Sequence, residues 1–176
     1  AVRERFAAIY TAALADILDD RGHREQTLPP SIRPLAPGMR LAGEAFTVLG
    51  RPAATENHDT AIRKVLEMLG EVPRGAVAVY SCNQEVAAHL GELSVTSLKA
   101  RGVAGCVLDG GCRDARFILD EGFPVFSLFV KMDWVGTFRP LAPAAPTPLL
   151  ERIQPIARAP APPHAPTTPL APHGHP

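Results

Sequence analysis

Aromatic side chains make up only 6% of the 176 residues, which leaves little material for the stacking platforms on which single-stranded nucleic acids lie. Neither charge is in excess. Lys+Arg and Asp+Glu both total 18, so the formal net charge is zero. A nucleic-acid binder that works through a basic surface is thereby disfavoured, and so is a protein held to a membrane surface by cationic residues. Cysteine is limited to Cys82, Cys106 and Cys112. The odd count and the lack of any CxxC spacing argue against a disulfide framework and a zinc knuckle, and point to a reducing, cytoplasmic setting. No apolar run is long enough to span a bilayer. The opening residues Ala-Val-Arg-Glu-Arg-Phe lack the apolar stretch of a signal peptide.

What remains is an ordinary globular composition, 46% apolar and 20% charged, in a chain long enough for one domain with a core. Phe6, Ile9, Tyr10, Ala13, Ile17 and Leu18 recur at helical spacing, so residues 2–21 read as one helix with Gly22 as its stop. Prolines 29, 30, 34 and 37 make 27–38 a loop. Residues 40–49 read as a strand, and 57–69 as a helix capped by Asn57 or Asp59. The run 76–81 reads as a buried strand, 84–90 and 92–100 as helices parted at Gly91, and 104–109 as a strand. Residues 113–121 read as a helix closed by Gly122, and 123–130 as a final strand. Strands alternating with helices imply a layered α/β fold with a central, mostly parallel β-sheet flanked by helices. Ligands of such sheets usually sit beyond the carboxyl ends of the strands. Of 19 prolines, 12 lie from Pro140 onward. The expected division is thus a domain over 1–140 and a Pro/Ala-rich tail over 141–176, largely disordered, with a short helix near Leu149 to Ile153.

Chemistry concentrates after the strand 104–109. Asp109, Gly110 and Gly111 read as a tight turn, followed by Cys112, Arg113 and Asp114. Arg113 offers a planar fork for a carboxylate or enolate oxygen, and Asp114 a hard oxygen for magnesium or manganese. The bland alternative is that Asp114 caps the next helix while Arg113 pairs with a surface carboxylate. A second feature is Gly91-Glu92-Leu93-Ser94, where a glycine opening a helix leaves backbone N–H groups able to hold an anion. Its bland alternative is a simple helix break. His58 and His89 are candidate bases by residue type, and Cys112 reads as a small packing residue.

Several separated segments, in order, resemble the RraA-like family, which includes the 4-hydroxy-4-methyl-2-oxoglutarate / 4-carboxy-4-hydroxy-2-oxoadipate aldolases. They are TAALADILDDRG (11–22), IRPLAPGMRLAGEAFTV (32–48), ENHDTAIRKVLEMLGEVPRGAVAVYS (56–81) and GELSVTSLKARGVAGCVLDGGCRDARFILDEGFPVF (91–126). The resemblance covers residues from about 5 to 140. It implies a metal-dependent aldolase acting on a small keto acid, with Asp114 coordinating Mg2+ or Mn2+. It implies that Arg113 meets the keto oxygen and that Gly91, Glu92, Leu93 and Ser94 hold the substrate carboxylate through backbone amides. It further implies a homotrimer or hexamer with the site between subunits. Oxaloacetate decarboxylation would share the same pyruvate enolate. Two departures from the family pattern stand out. Phe117 occupies the position, three after Asp114, where a carboxylate is common, with Asp120 one turn on. The sequence after DWVGTFRP (133–140) turns to Pro, Ala and His, resembling a truncated or altered C-terminal part. Some relatives are non-catalytic regulators that bind ribonuclease E and lack the Asp after the Arg. This chain keeps Asp114, which favours catalysis. There is no G-x-G-x-x-G loop to support a nucleotide-dependent methyltransferase.

Overall fold

The computed structural model describes residues 2–52, 57–82, 87–131 and 138–141. Two helices lead, α1 (Val2–Ala8) and α2 (Thr11–Asp20), and neither has a buried residue. The single helix expected over 2–21 is therefore two. Tyr10 is extended (φ −67°, ψ 127°), and the Ile9 carbonyl accepts from the Arg40 guanidinium at 2.8 Å instead of continuing a helical ladder. Strand β1 (Arg33–Pro34) lies inside the stretch read as loop. Strand β2 (Ala45–Pro52) starts and ends later than the expected 40–49.

Helix α3 (His58–Glu71) begins as its cap chemistry dictates, with the Asn57 side chain accepting from the Asp59 amide at 3.0 Å. It turns Ala61, Met68 and Leu69 inward. Strand β3 (Val77–Ser81) is buried throughout because it lies between two parallel neighbours and is covered on both faces. Strands β4 (Ala88–Leu90), β5 (Gly105–Asp109), β6 (Gly111–Cys112), β7 (Val125–Ser127), β8 (Phe129–Val130) and β9 (Phe138–Leu141) follow, with α4 (Glu92–Ala100) and α5 (Ala115–Asp120) between them.

The main sheet has six strands in the order β1-β7-β5-β3-β2-β9. Its four central strands are parallel, and β1 and β9 add antiparallel edges. A second sheet, β4-β6-β8, is wholly parallel. The two sheets share chain segments: β5 passes into β6 across Gly110, and β7 into β8 across Leu128. The Leu128 amide donates to the Gly110 carbonyl at 3.0 Å, tying the two crossings together.

Three expectations give way here. Residues 88–90 are a strand, not the end of a helix over 84–90, because Ala88 and Leu90 pair with Gly111 and Cys112. Residues 83–86 lie outside the described residues. Asp109-Gly110-Gly111 is no turn, since the chain runs on from one sheet into the other. The strand expected over 123–130 is divided between the sheets. The tail over 142–176 and its helix near Leu149 lie outside the described residues, whereas Leu141 belongs to β9.

The main core joins Tyr80, Leu90, Val95, Leu98, Leu108, Ile118 and Val125, all 2% exposed or less. Both helices that leave the small sheet end in the same way. Gly102 (φ +76°) follows α4 and Gly122 (φ +62°) follows α5. The next amides, of Val103 and Phe123, reach back to Leu98 and Ile118. That closure needs a left-handed residue, which glycine adopts without a Cβ penalty.

Candidate functional site

Strands β4 and β6 run parallel, with Leu90 paired to Cys112. Their ends therefore deliver Gly91 and the pair Arg113-Asp114 to neighbouring positions at the mouth of the small sheet. The Arg113 amide donates to the Leu90 carbonyl at 2.9 Å, and the Lys131 amide to the Cys112 carbonyl at 2.7 Å, which continues the ladder one residue further. Beyond it α4 starts at Glu92 and α5 at Ala115. The two segments singled out in the sequence thus meet at the ends of β4 and β6.

Asp114 is the only non-glycine with positive φ among the described residues (φ 56°, ψ 35°). Aspartate visits this left-handed region more readily than most residues, at a conformational cost. It stands at the cap position of α5, yet its side chain makes no cap bond there. The carboxylate turns instead to the other helix: Oδ2 accepts from the Glu92 amide at 2.9 Å, the first N–H of α4. The same oxygen lies 3.3 Å from Arg113 Nε, and both side chains are 35% exposed. The capping alternative is therefore corrected in its target, because Asp114 caps α4 and not the helix that follows it. Arg113 pairs with this neighbour.

Gly91 makes the arrangement possible. A Cβ there would lie 2.6 Å from Asp114 Oδ2, 2.9 Å from Arg113 Nε and 3.0 Å from Arg113 Cγ. The bare Cα lets the carboxylate and the guanidinium lie over the helix mouth. Glu92 and Leu93 are exposed, Leu93 at 81%. The N–H groups of Leu93 and Ser94 follow in the same first turn, where no intrahelical carbonyl reaches them. Aligned peptide dipoles add partial positive charge at this point.

Behind the mouth, Gly110 and Gly111 serve close approach. A Cβ on Gly110 would meet His89 Cδ2 at 2.9 Å and Cys82 Cβ at 3.1 Å, and one on Gly111 would enter the Phe129 ring. Burial pulls the His89 imidazole down to about 4, so it is neutral near pH 7. The half-buried Asp109 carboxyl is pushed up by burial. Burial also raises the Cys112 thiol, whose Sγ lies 3.5 Å from Ser127 Oγ, so it is a packing group and not a reactive thiolate. His58 opens α3 and is exposed. Phe117 is half-buried in α5, and Asp120 is exposed at its end. Sequence reasoning did not find the partnership of Gly110 with His89 or of Gly111 with Phe129. Its signal was the glycine pair itself, read as a turn.

Among the described residues no group of three His, Cys, Asp or Glu side chains is arranged to hold a metal. The donors present therefore do not form a tetrahedral zinc cage. They do fit a hard cation that keeps most of its waters and takes one carboxylate, as magnesium does. Asp114 is the carboxylate at the mouth, and its contacts with the Glu92 amide and Arg113 both fall on Oδ2. Among the described residues no helix is long and apolar enough to cross a membrane.

Comparison with known proteins agrees with the fold. Protein DlpA of Legionella pneumophila subsp. pneumophila (strain Philadelphia 1) is 29% identical over 123 residues, covering 69% of this chain and 19% of DlpA. A solved structure described as coming from novel cellulases of microbes associated with the gut ecosystem superposes with a TM-score of 0.72 at 28% identity, over 79% of this chain and 63% of that one. Streptomyces coelicolor RraAS2, an unusual member of the RNase ES inhibitor RraA protein family, gives a TM-score of 0.67 at 26% identity, over 80% of this chain and 70% of that one. The chain thus spans less than two thirds of the length of DlpA and of the first structure. The RraA-like family model, described as Aldolase/RraA, matches residues 11–138. This chain belongs to the RraA-like family.

Proposed function

We propose that the protein is a divalent-metal-dependent lyase that cleaves 4-hydroxy-4-methyl-2-oxoglutarate-type acids to pyruvate and also decarboxylates oxaloacetate. The observation that carries this reading is the meeting of Arg113, Asp114 and the first turn of α4 at one sheet end. A pyruvyl group carries a carboxylate beside a keto oxygen, and the site offers a donor set for each. The amides of Gly91 to Ser94 face the carboxylate, with the helix dipole in support. Arg113 directs its fork at the keto oxygen and stabilises the negative charge that develops there when the C–C bond breaks. Asp114 would hold Mg2+ or Mn2+, which would supply Lewis-acid polarisation of the keto group. Aldol cleavage and loss of carbon dioxide both leave pyruvate enolate, so one set of groups serves both reactions.

The same reading places the protein in the cytoplasm, as a homotrimer or hexamer whose substrate is a small keto acid. Support for assembly comes from α1 and α2, which bury none of their residues and, with Tyr10 between them, leave Val2, Phe6, Tyr10 and Ile17 between 49% and 76% exposed. It also takes 1–140, extended by Leu141 of β9, as the folded unit and the residues after it as a tail. Pyruvate release from 4-hydroxy-4-methyl-2-oxoglutarate and oxaloacetate, with Mg2+ or Mn2+, tests the activity. No pyruvate from folded protein with either metal refutes it.

The second reading is a non-catalytic regulator that binds ribonuclease E, and the likeness to RraAS2 favours it. The two readings part at Asp114. Capture of ribonuclease E by wild type and equally by Asp114→Ala would support the regulator.

A further inference from the structure

We infer that the groove between α1 and the entries of β2 and β3 is the docking place of this chain's own segment 149–153. The inference goes beyond the reading above and concerns the opposite end of the main sheet. The groove encloses about 660 Å3 and is lined by Val2, Arg3 and Phe6 of α1 and by Glu44, Pro73 and Arg74 at the strand entries. The Glu44 carbonyl accepts from the Val77 amide at 2.8 Å, and a Cβ on Gly75 would lie 3.5 Å from Arg3 Nη1. Val2 and Phe6 stand four apart on one face of α1, yet they are 67% and 50% exposed. A helix of seven residues does not hold in water by itself and needs its apolar face covered. Among the described residues no element buries that face. Tyr10 and Ile17 lie outside the groove and remain for assembly.

The occupant follows from the course of β9. This strand runs antiparallel to β2, with Leu141 opposite Leu49. Continued in the same direction, the chain passes Val48 to Ala45 and arrives at Glu44 of the groove. On that side, 45–48 pair with no strand among the described residues. Residues 142–148 read Ala-Pro-Ala-Ala-Pro-Thr-Pro. Each proline favours extended backbone at itself and at the residue before it. At about 3.1 Å per residue the stretch from Leu141 to Leu149 spans about 25 Å. The path along β2 from Leu49 to Glu44 takes only about 17 Å. The surplus carries Leu149 past Glu44 to α1. Thr147 and Pro148 are residue types that start a helix, and Pro155 is one that stops it. At helical spacing Leu149, Leu150 and Ile153 share one face, with Glu151 and Arg152 flanking it on either side. That face matches Val2, Phe6 and Pro73. Glu151 is opposite in sign to Arg3 and Arg74, and Arg152 to Glu44.

Paired cysteines in the full-length protein test the docking, because the native Cys82, Cys106 and Cys112 are all buried. Under mild oxidation Val2→Cys/Leu149→Cys should close a disulfide within one chain about tenfold faster than Val2→Cys/Thr168→Cys, whose second thiol lies on the same tail outside the segment. Equal rates overturn the inference. A disulfide that forms faster between chains assigns the groove to a second copy and overturns it too. Hydrogen exchange of the full-length protein needs no cysteine. Leu150→Asp should speed exchange of the α1 amides about tenfold, and Phe6→Asp that of 149–153, with β3 protected as in wild type. Amides of α1 that exchange alike in wild type and Leu150→Asp contradict the docking.

Discussion

A methyl group on Gly91 would sit 2.6 Å from Asp114 Oδ2 and 2.9 Å from Arg113 Nε, so Gly91→Ala must displace both charged groups. Gly91 itself is extended (φ −149°), a conformation alanine adopts freely. The damage should therefore fall on function and not on folding. We expect kcat/KM for pyruvate release to drop about 100-fold, as misplacing a positioned group by an ångström does, while thermal unfolding changes by no more than about 1 kcal/mol. His89 gives a pH prediction. Its folded value of about 4 lies below the ordinary imidazole value of 6.5. Protonation thus favours the unfolded chain. The stability His89 contributes is complete above 6.5 and is lost as pH falls through 4, amounting to at most about 3 kcal/mol. Asp109, pushed up by burial, contributes with the opposite sign. Urea unfolding at pH 7 and pH 4.5, for wild type and His89→Phe, isolates the imidazole. The wild type should lose more stability on acidification than the variant, and equal losses would remove His89 from the account.

Elements were legible where chemistry is local. The α3 cap at Asn57, the strand at β3 and the glycine closing α5 follow from side-chain type and period. The elements that build the site were harder to read because they depend on non-local pairing. Ala88 to Leu90 carries too few residues to show alternation, and becomes a strand only because β6 lies beside it. The glycine pair at 110–111 suggested a turn. Its cause is space, for His89 and Cys82 at one residue and for Phe129 at the next. The residues proposed for the site could be named from the sequence, but not the contact between them: that the Asp114 carboxylate crosses to α4 depends on strand register, which no spacing encodes. Two variants probe these elements. Gly111→Ala drives a Cβ into the Phe129 ring and should cost between about 1 and 3 kcal/mol by overpacking the crossing of the two sheets, read by urea unfolding. Lys99 Nζ donates at 2.7 Å to both the Glu121 carbonyl and Glu121 Oε2, bridging α4 to the end of α5. Both side chains are largely exposed, so Lys99→Ala should cost only about 0.5 kcal/mol and leave pyruvate release unchanged.

At the scale of the whole molecule, two sheets share strands so that β4 and β6 end together, and everything proposed for the site depends on that junction. The apolar residues left on α1 and α2 bear on assembly, and native mass spectrometry should find three copies or six. The central claim is that Arg113 and Asp114 carry out metal-dependent cleavage at this junction. Its most direct test is pyruvate release from 4-hydroxy-4-methyl-2-oxoglutarate by wild type, Arg113→Ala and Asp114→Ala, each in Mg2+ and in EDTA. The account predicts release by wild type in Mg2+, its abolition by EDTA, and a loss of 100-fold or more in each variant, about what removing one charge-stabilising donor costs. Release that survives EDTA, or that Asp114→Ala retains in full, would contradict it.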